Sequence, residues 1–268
     1  MHRLTHRFTA LLAVLVAASG LALFGISNAV AAHPPAGQKP TIVLVHGAFA
    51  DGASWNPVIE RLQRKGFTAL AVANPLRGVA SDAEALDARL AAIDGPVVLV
   101  GHSYGGAVIT NVKARSPKVK ALVYVAAFAP AGGEAAAQLA AKYPGSTLGE
   151  TLAPVALPDG STDLYILPSL FRQQFAADVP ARQTALMAAT QRPIRDAALN
   201  EASGTPAWAS IPSWFLLAGA DKNIPLRAQE FMAGRAGSRA TATVEGASHA
   251  VAVSHPNAVV DLVRRAAS

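Results

Sequence analysis

The five residues Gly101-His102-Ser103-Tyr104-Gly105 constrain the fold more tightly than any other stretch of the chain. They follow the apolar run Pro96–Val100 and precede the helix-forming stretch Ala107–Ala114, so a strand must turn into a helix within a few residues. A serine at the centre of such a Gly-x-Ser-x-Gly turn sits on strained backbone, its hydroxyl projecting above the end of the strand. Gly101 and Gly105 lack a Cβ, which lets the turning backbone pass close to its neighbours where a side chain would collide. The turn also aims the backbone N–H of Tyr104 at the oxygen that becomes negative when Ser103 attacks a carbonyl. One turn therefore supplies a nucleophile and half of an oxyanion hole.

The rest of the chain supplies the sheet that such a turn requires. Aliphatic runs of strand length alternate with helix-period segments, the pattern of a mostly parallel sheet with helices on both faces. Thr41–Val45, Phe67–Ala71, Pro96–Val100, Val119–Val125, Ser213–Leu217 and Ala240–Val244 read as strands. Trp55–Lys65 has Trp55, Val58, Ile59 and Leu62 at helical spacing and ends at Gly66, a C-cap residue. Ser81 with Glu84 three residues on has the form of a capping box for a helix buried through Leu86, Leu90 and Ile93. Leu226–Arg235 and Asn257–Ala266, the latter with Pro256 in its first turn, complete the helices. Between strands, residues 129–212 break the alternation. This stretch is rich in alanine, proline and glutamine, and it predicts an inserted helical lid with helices near Glu134–Lys142, Pro168–Ala177 and Ala181–Thr190.

The first residues are of a different kind. His2, Arg3, His6 and Arg7 precede the apolar stretch Phe8–Ile26, and Ala29-Val30-Ala31 forms an A-x-A site. Residues 1–31 thus read as an export signal cleaved after Ala31, with 32–40 a linker and 41–268 a single domain. On this reading the mature protein is periplasmic or extracellular and meets the membrane only during export. The alternative for the same segment is an uncleaved anchor, weakened by Ser19, Gly20 and Gly25. The chain has no cysteine, which excludes disulfides, thiolate metal ligands and a cysteine nucleophile. The net charge of +6 comes with only 6% aromatic residues, a composition that argues against single-stranded nucleic acid as a partner. No glycine-rich phosphate loop and no metal-ligand spacing is present in the sequence, so no cofactor and no metal is expected.

A serine hydroxyl needs a base to take its proton and a third group to hold that base. His249, in the small-residue loop Gly246-Ala247-Ser248-His249 beyond the last strand, is the expected base. His255 competes with it, but a histidine before Pro256 at a helix start more often serves as an entry residue. The acid should lie at the carboxyl end of a strand and before the histidine, which selects Asp221 in Gly219-Ala220-Asp221. A turn aspartate capping the helix after Pro225 is the simpler role for that residue. The second oxyanion donor is expected from His46-Gly47-Ala48-Phe49: the N–H of Ala48, or that of Phe49 if the loop is set one residue over. His46 reads as structural, and the His102 side chain should point away from the site. Trp55, Tyr124, Phe128, Phe171, Phe175, Trp208 and Trp214 are candidates to line a pocket, although most aromatics in such positions are core.

Taken together, His46-Gly47-Ala48-Phe49, Gly101-His102-Ser103-Tyr104-Gly105-Gly106, Gly219-Ala220-Asp221 and Ser248-His249 resemble the α/β-hydrolase fold superfamily over the length of the chain beyond the linker. The resemblance is to its small-lid branch of plant methyl-ester esterases, hydroxynitrile lyases and bacterial esterases. It implies an exported serine hydrolase that cleaves a small-molecule carboxylic ester through Ser103, His249 and Asp221 and an acyl-enzyme. The resembling lyases place a threonine after the loop histidine and a lysine after the catalytic one. Gly47 and Ala250 stand at those positions, which favours hydrolysis. Perhydrolases share the serine triad, so the motifs leave a peracid-forming activity open. A non-catalytic protein that binds a ligand under the lid is the reading from another class.

Overall fold

The computed structural model describes residues 39–113 and 118–268. The expected signal, most of the linker and the expected helix end at Ala114 lie outside the described residues. In chain order the elements are β1 (Thr41–Val45), α1 (Asn56–Arg64), β2 (Ala69–Val72), α2 (Val79–Ala91), β3 (Val97–His102), α3 (Tyr104–Thr110) and β4 (Val119–Val125). The inserted segment holds α4 (Ala136–Ala141), β5 (Leu152–Ala156), β6 (Thr162–Ile166), α5 (Pro168–Phe175), α6 (Ala181–Thr190), β7 (Ile194–Arg195) and α7 (Asp196–Asn200). The chain closes with β8 (Ser213–Ala218), α8 (Leu226–Arg235), β9 (Ala240–Val244), α9 (Val251–Ser254) and α10 (Pro256–Ala266).

Strands β2-β1-β3-β4-β8-β9 form a six-stranded sheet, every pair parallel. Parallel strands put all their carboxyl ends on one edge, and the loops leaving that edge carry the candidate site residues. Because side chains alternate along a strand, each strand feeds two cores. Val43, Leu99, Leu122, Tyr124 and Leu217 join one core with Leu86 and Leu90 of α2 and Met232 of α8. Ile42, Leu44, Val100, Val123 and Leu216 join the other with Val58 and Leu62 of α1 and Val259 and Val263 of α10. Each fully buried aliphatic side chain contributes roughly 1.5–3 kcal/mol, so the two layers hold the sheet from both sides.

Several local expectations are modified by hydrogen bonding. Gly66, at φ 75°, ends α1 in a left-handed turn. The Phe67 N–H bonds the Leu62 carbonyl at 3.1 Å and the Gly66 N–H bonds that of Gln63 at 2.9 Å. These two bonds close a Schellman motif and delay β2 to Ala69. The capping box at Ser81 is not formed. Helix α2 begins earlier, at Val79, and the Ser81 hydroxyl donates to the Gly78 carbonyl. The orphan amides of Val79 and Ala80 instead reach the Glu201 carboxylate at 2.6 and 3.2 Å, a cap brought from far along the chain.

The inserted segment is helical as expected at α4, α5 and α6, and it also contains a sheet that was not expected there. Strands β5, β6 and β7 pair antiparallel. The hairpin between β5 and β6 turns at Pro158-Asp159-Gly160, with Gly160 at φ 79° and the Asp159 carboxylate accepting from the Ser161 amide. That Pro-Asp-Gly sequence is a turn signal in its own right. Strand β6 buries Leu164 and Ile166, so a buried strand does exist within 129–212.

Candidate active site

Ser103 sits between β3 and α3 at φ 53° and ψ −125°, a conformation uncommon for a residue with a side chain. Close approach of backbone explains the glycines around it. A Cβ on Gly101 would stand 2.6 Å from the Gly105 carbonyl oxygen, and one on Gly105 would stand 2.4 Å from that of Val45. Gly47 faces the serine directly, and its missing Cβ would lie 2.5 Å from Ser103 Cβ.

Asp221 and His249 leave the carboxyl ends of β8 and β9 and meet. His249 Nδ1 and Asp221 Oδ2 are 2.7 Å apart, and both side chains are wholly buried. A carboxylate only accepts, so the Nδ1 of a neutral His249 carries the proton and its Nε2 presents a lone pair. Among the described residues that Nε2 has no hydrogen-bond partner. The turn role considered for Asp221 coexists with this one: Oδ1 accepts from the amides of Asn223 and Ile224 at 2.7 and 3.0 Å. Oδ1 shapes the loop while Oδ2 faces the histidine. His255 is placed elsewhere, half-exposed, with its Nδ1 2.9 Å from Ser254 Oγ and 3.4 Å from Asp178.

Two residues that the sequence reading did not select complete this arrangement. Buried Gln229 on α8 donates to Asp221 Oδ2 at 3.2 Å and to the Ile224 carbonyl at 2.7 Å, while its Oε1 accepts the Ala218 amide at 3.1 Å. The spacing of an amide side chain on a helix gives no hint of these partners. The second residue is His102. Its ring lies against the His249 ring with centroids 4.7 Å apart, and its Nε2 is 2.9 Å from the His249 carbonyl oxygen. The expectation that it points away is therefore replaced by a position behind His249. Burial, reinforced by the neighbouring His249, lowers its pKa to about 3, so it is a neutral donor to that carbonyl.

The loop after β1 is fixed by His46, as expected of a structural residue. His46 Nε2 accepts the Asn74 amide at 3.1 Å, its Nδ1 meets the Gly47 carbonyl at 2.9 Å, and burial lowers its pKa. The Phe49 N–H is already committed to the Arg192 carbonyl at 2.9 Å, which removes it as the alternative oxyanion donor. Ala48 and Tyr104 line the same cavity as Ser103.

That cavity measures about 440 Å³, within the range of small-molecule sites. Phe49 and Phe128 stand beside the serine, and the lid supplies Leu148, Leu164 and the small face Ala137 and Ala140. Of the seven aromatics proposed for a pocket, Phe128 lines this one. Trp55, Tyr124 and Phe171 are fully buried core, and Phe175 sets its ring edge-on to His249 at 5.0 Å. Among the described residues no cluster of three or more His, Asp or Glu side chains forms a metal site.

Comparison with known proteins agrees with this architecture. Residues 42–262 match the family described as the alpha/beta hydrolase family. The chain is 34% identical over 105 residues to the carbendazim hydrolyzing esterase of Nocardioides sp., a match covering 34% of this chain and 43% of that protein. It is 27% identical over 260 residues to esterase PIR7B of Oryza sativa subsp. japonica, covering 86% of this chain and 97% of the relative. The crystal structure of polyneuridine aldehyde esterase superposes with a TM-score of 0.74 at 20% identity, over 86% of this chain and all of that one. From the match across 42–262, with its parallel sheet and its serine on the turn after β3, the chain belongs to the alpha/beta hydrolase family.

Proposed function

We propose that this α/β hydrolase cleaves carboxylic esters through Ser103, His249 and Asp221. The observation that carries the reading is the 2.7 Å bond between His249 Nδ1 and Asp221 Oδ2, which leaves His249 Nε2 without a hydrogen-bond partner among the described residues, while Ser103 lies on its strained turn after β3. In this mechanism Ser103 Oγ adds to the ester carbonyl carbon while His249 Nε2 takes its proton. The resulting oxyanion lies between the N–H groups of Ala48 and Tyr104. His249 then protonates the leaving alcohol oxygen as the C–O bond breaks, giving an acyl-Ser103. Water adds to that acyl carbon, passing its proton to His249, and Ser103 departs with the proton as the acid is released. Asp221 keeps the imidazole in one tautomer and offsets its positive charge.

The cavity is lined mostly by apolar side chains, with Asp196, Asn200 and Asn223 among the polar ones, which supports an ester with an apolar acyl or alcohol group, and the names of the Nocardioides and rice relatives are consistent with ester cleavage. Reading residues 1–31 as an export signal assigns this activity to the periplasm or the cell exterior. The test is turnover of p-nitrophenyl esters, acetate through long acyl chains, beside the Ser103→Ala variant. Loss of at least about a thousandfold in kcat with the fold retained is expected. A parent protein that turns over no ester and takes up no fluorophosphonate would remove the serine mechanism and favour a ligand-binding protein.

A further inference from the structure

The short connection between β2 and α2 ties the lid to the turn that carries Ser103. Arg77, in this connection, gives Nη1 to Asp163 Oδ1 of β6 at 2.6 Å and Nη2 to the Pro193 carbonyl at 3.1 Å. Its backbone N–H meets both carboxylate oxygens of Asp82 at 3.2 Å. Asp82 is 1% exposed, and its Oδ2 accepts the phenol of Tyr104 at 2.9 Å. Tyr104 directly follows Ser103, and its amide is one of the two proposed oxyanion donors. The other donor loop is reached from the same piece of lid. The Arg192 carbonyl holds the Phe49 amide, next to Ala48, at 2.9 Å, and the Arg195 amide holds the carbonyl of Leu76, itself at φ 63°. Three lid residues, Arg192, Pro193 and Arg195, therefore bond to the loop after β1 and to the β2–α2 connection.

A buried carboxylate is costly to desolvate, and its burial raises the Asp82 pKa. A phenylalanine at 104 would fill the same space without calling for a buried acid. An aspartate near the start of α2 also has an ordinary use, fastening the preceding loop and facing the helix N-terminus. That use accounts for the bonds to Arg77 but not for the bond to the tyrosine phenol, which reaches α3. Ser103 is strained, and strained backbone persists only where its surroundings hold it. An anchor on the very next residue is well placed to do so.

We infer that Asp82 is a positioning residue for the oxyanion site, fixing Tyr104 through its phenol and linking it through Arg77 to the lid. The inference rests on the serine-esterase reading above. An amide that drifts from the reacting oxygen loses its effect on the transition state while leaving ground-state binding largely intact. The signature is thus a fall in kcat at constant KM.

The experiment uses the full chain, p-nitrophenyl butyrate, and a trifluoromethyl ketone whose adduct with a serine places an oxyanion in the hole. Tyr104→Phe should lower kcat about tenfold, leave KM within about twofold, and weaken the ketone by a factor similar to the loss in kcat. Asp163→Asn, at the lid end of the chain of bonds, should move kcat and the ketone in the same direction by about threefold. Combining Tyr104→Phe with Asp82→Asn should cost no more than the worse single change, since both cut one path. Parental kcat and ketone affinity in Tyr104→Phe and Asp163→Asn, whatever happens to their melting temperatures, would reduce Asp82 to a purely structural residue. A parent protein without esterase activity or fluorophosphonate labelling would overturn the underlying reading as well, and this outcome appears before any variant is made.

Discussion

His102 Nε2 donates to the carbonyl oxygen of His249 across 2.9 Å, so one buried imidazole holds the backbone of another. The bond exists only while His102 is correctly protonated at Nε2, and burial keeps the ring neutral down to about pH 3.

This has a consequence for stability in acid. In the unfolded chain a histidine takes up its proton near pH 6.5, whereas folded His102 resists until about pH 3. Between those values the unfolded state binds more protons, so stability is complete above pH 6.5 and falls as the pH drops through this window. His46, also lowered by burial, adds to the loss. The raised pKa of buried Asp82 acts in the opposite sense. The slope expected from His102 is about 1.4 kcal/mol per pH unit. His102→Gln keeps an N–H donor without a titrating ring, and urea unfolding at pH 7 and pH 5 should show a shallower pH dependence in that variant.

Gly47 tests the close approach of the two loops around Ser103. In Gly47→Ala the new methyl would stand 2.5 Å from Ser103 Cβ and 2.9 Å from the His102 carbonyl oxygen, so backbone must move. Overpacking of this kind costs about 1–3 kcal/mol. Displacement of the serine should lower esterase kcat by about a hundredfold. Thermal unfolding beside steady-state kinetics separates the two effects. An alanine variant as active as the parent would mean that the loops separate easily.

Gln229→Met conserves volume and removes the amide that serves the Ala218 amide, Asp221 and the Ile224 carbonyl. Leaving such buried groups unpaired costs about 1–3 kcal/mol. Because Asp221 also loses a donor, kcat should fall while KM stays near the parental value. Urea midpoints and kinetics on one ester series measure both.

The true cap of α2 can be told from the expected one by two substitutions. Glu201→Ala removes the carboxylate from the Val79 and Ala80 amides and should destabilise by about 1 kcal/mol. Ser81→Ala removes a hydroxyl that only returns to the Gly78 carbonyl, and should change stability by less than about 0.5 kcal/mol. The reverse order in denaturant unfolding would restore the capping box.

What could be read from the sequence was whatever local chemistry decides. The helix at Leu226–Arg235 and the strand at Val119–Val125 have the predicted bounds because periodicity and breakers agree there. The turn at Ser103 was legible because Gly-x-Ser-x-Gly between a strand and a helix is a local pattern, although the contact that Gly105 avoids, with Val45, lies across the fold, and the meeting of Asp221 with His249 followed from strand ends sharing one edge. The contributions of Glu201, Gln229 and His102 were not legible, since each is a hydrogen bond to a segment that only the tertiary fold brings near. The β5–β6 hairpin is a different case. Its Pro158-Asp159-Gly160 turn is a local signal, but Leu152–Ala156 and Thr162–Ile166 are short and lie in an alanine- and proline-rich stretch of helical composition.

The inserted segment leaves the sheet after β4 and returns at β8, and those two strands are neighbours with Leu122 beside Ser213. Because the two strands run parallel, the segment leaves from the carboxyl end of β4 at Val125 and re-enters at the amino end of β8 at Ser213, so it also carries the chain from one edge of the sheet back to the other. Exchanging this segment for another would change the residues that line the cavity beside Ser103. The exchange has a condition in this protein: a graft lacking the equivalents of Asp163, Arg192 and Glu201 would arrive with no grip on the loops beneath it.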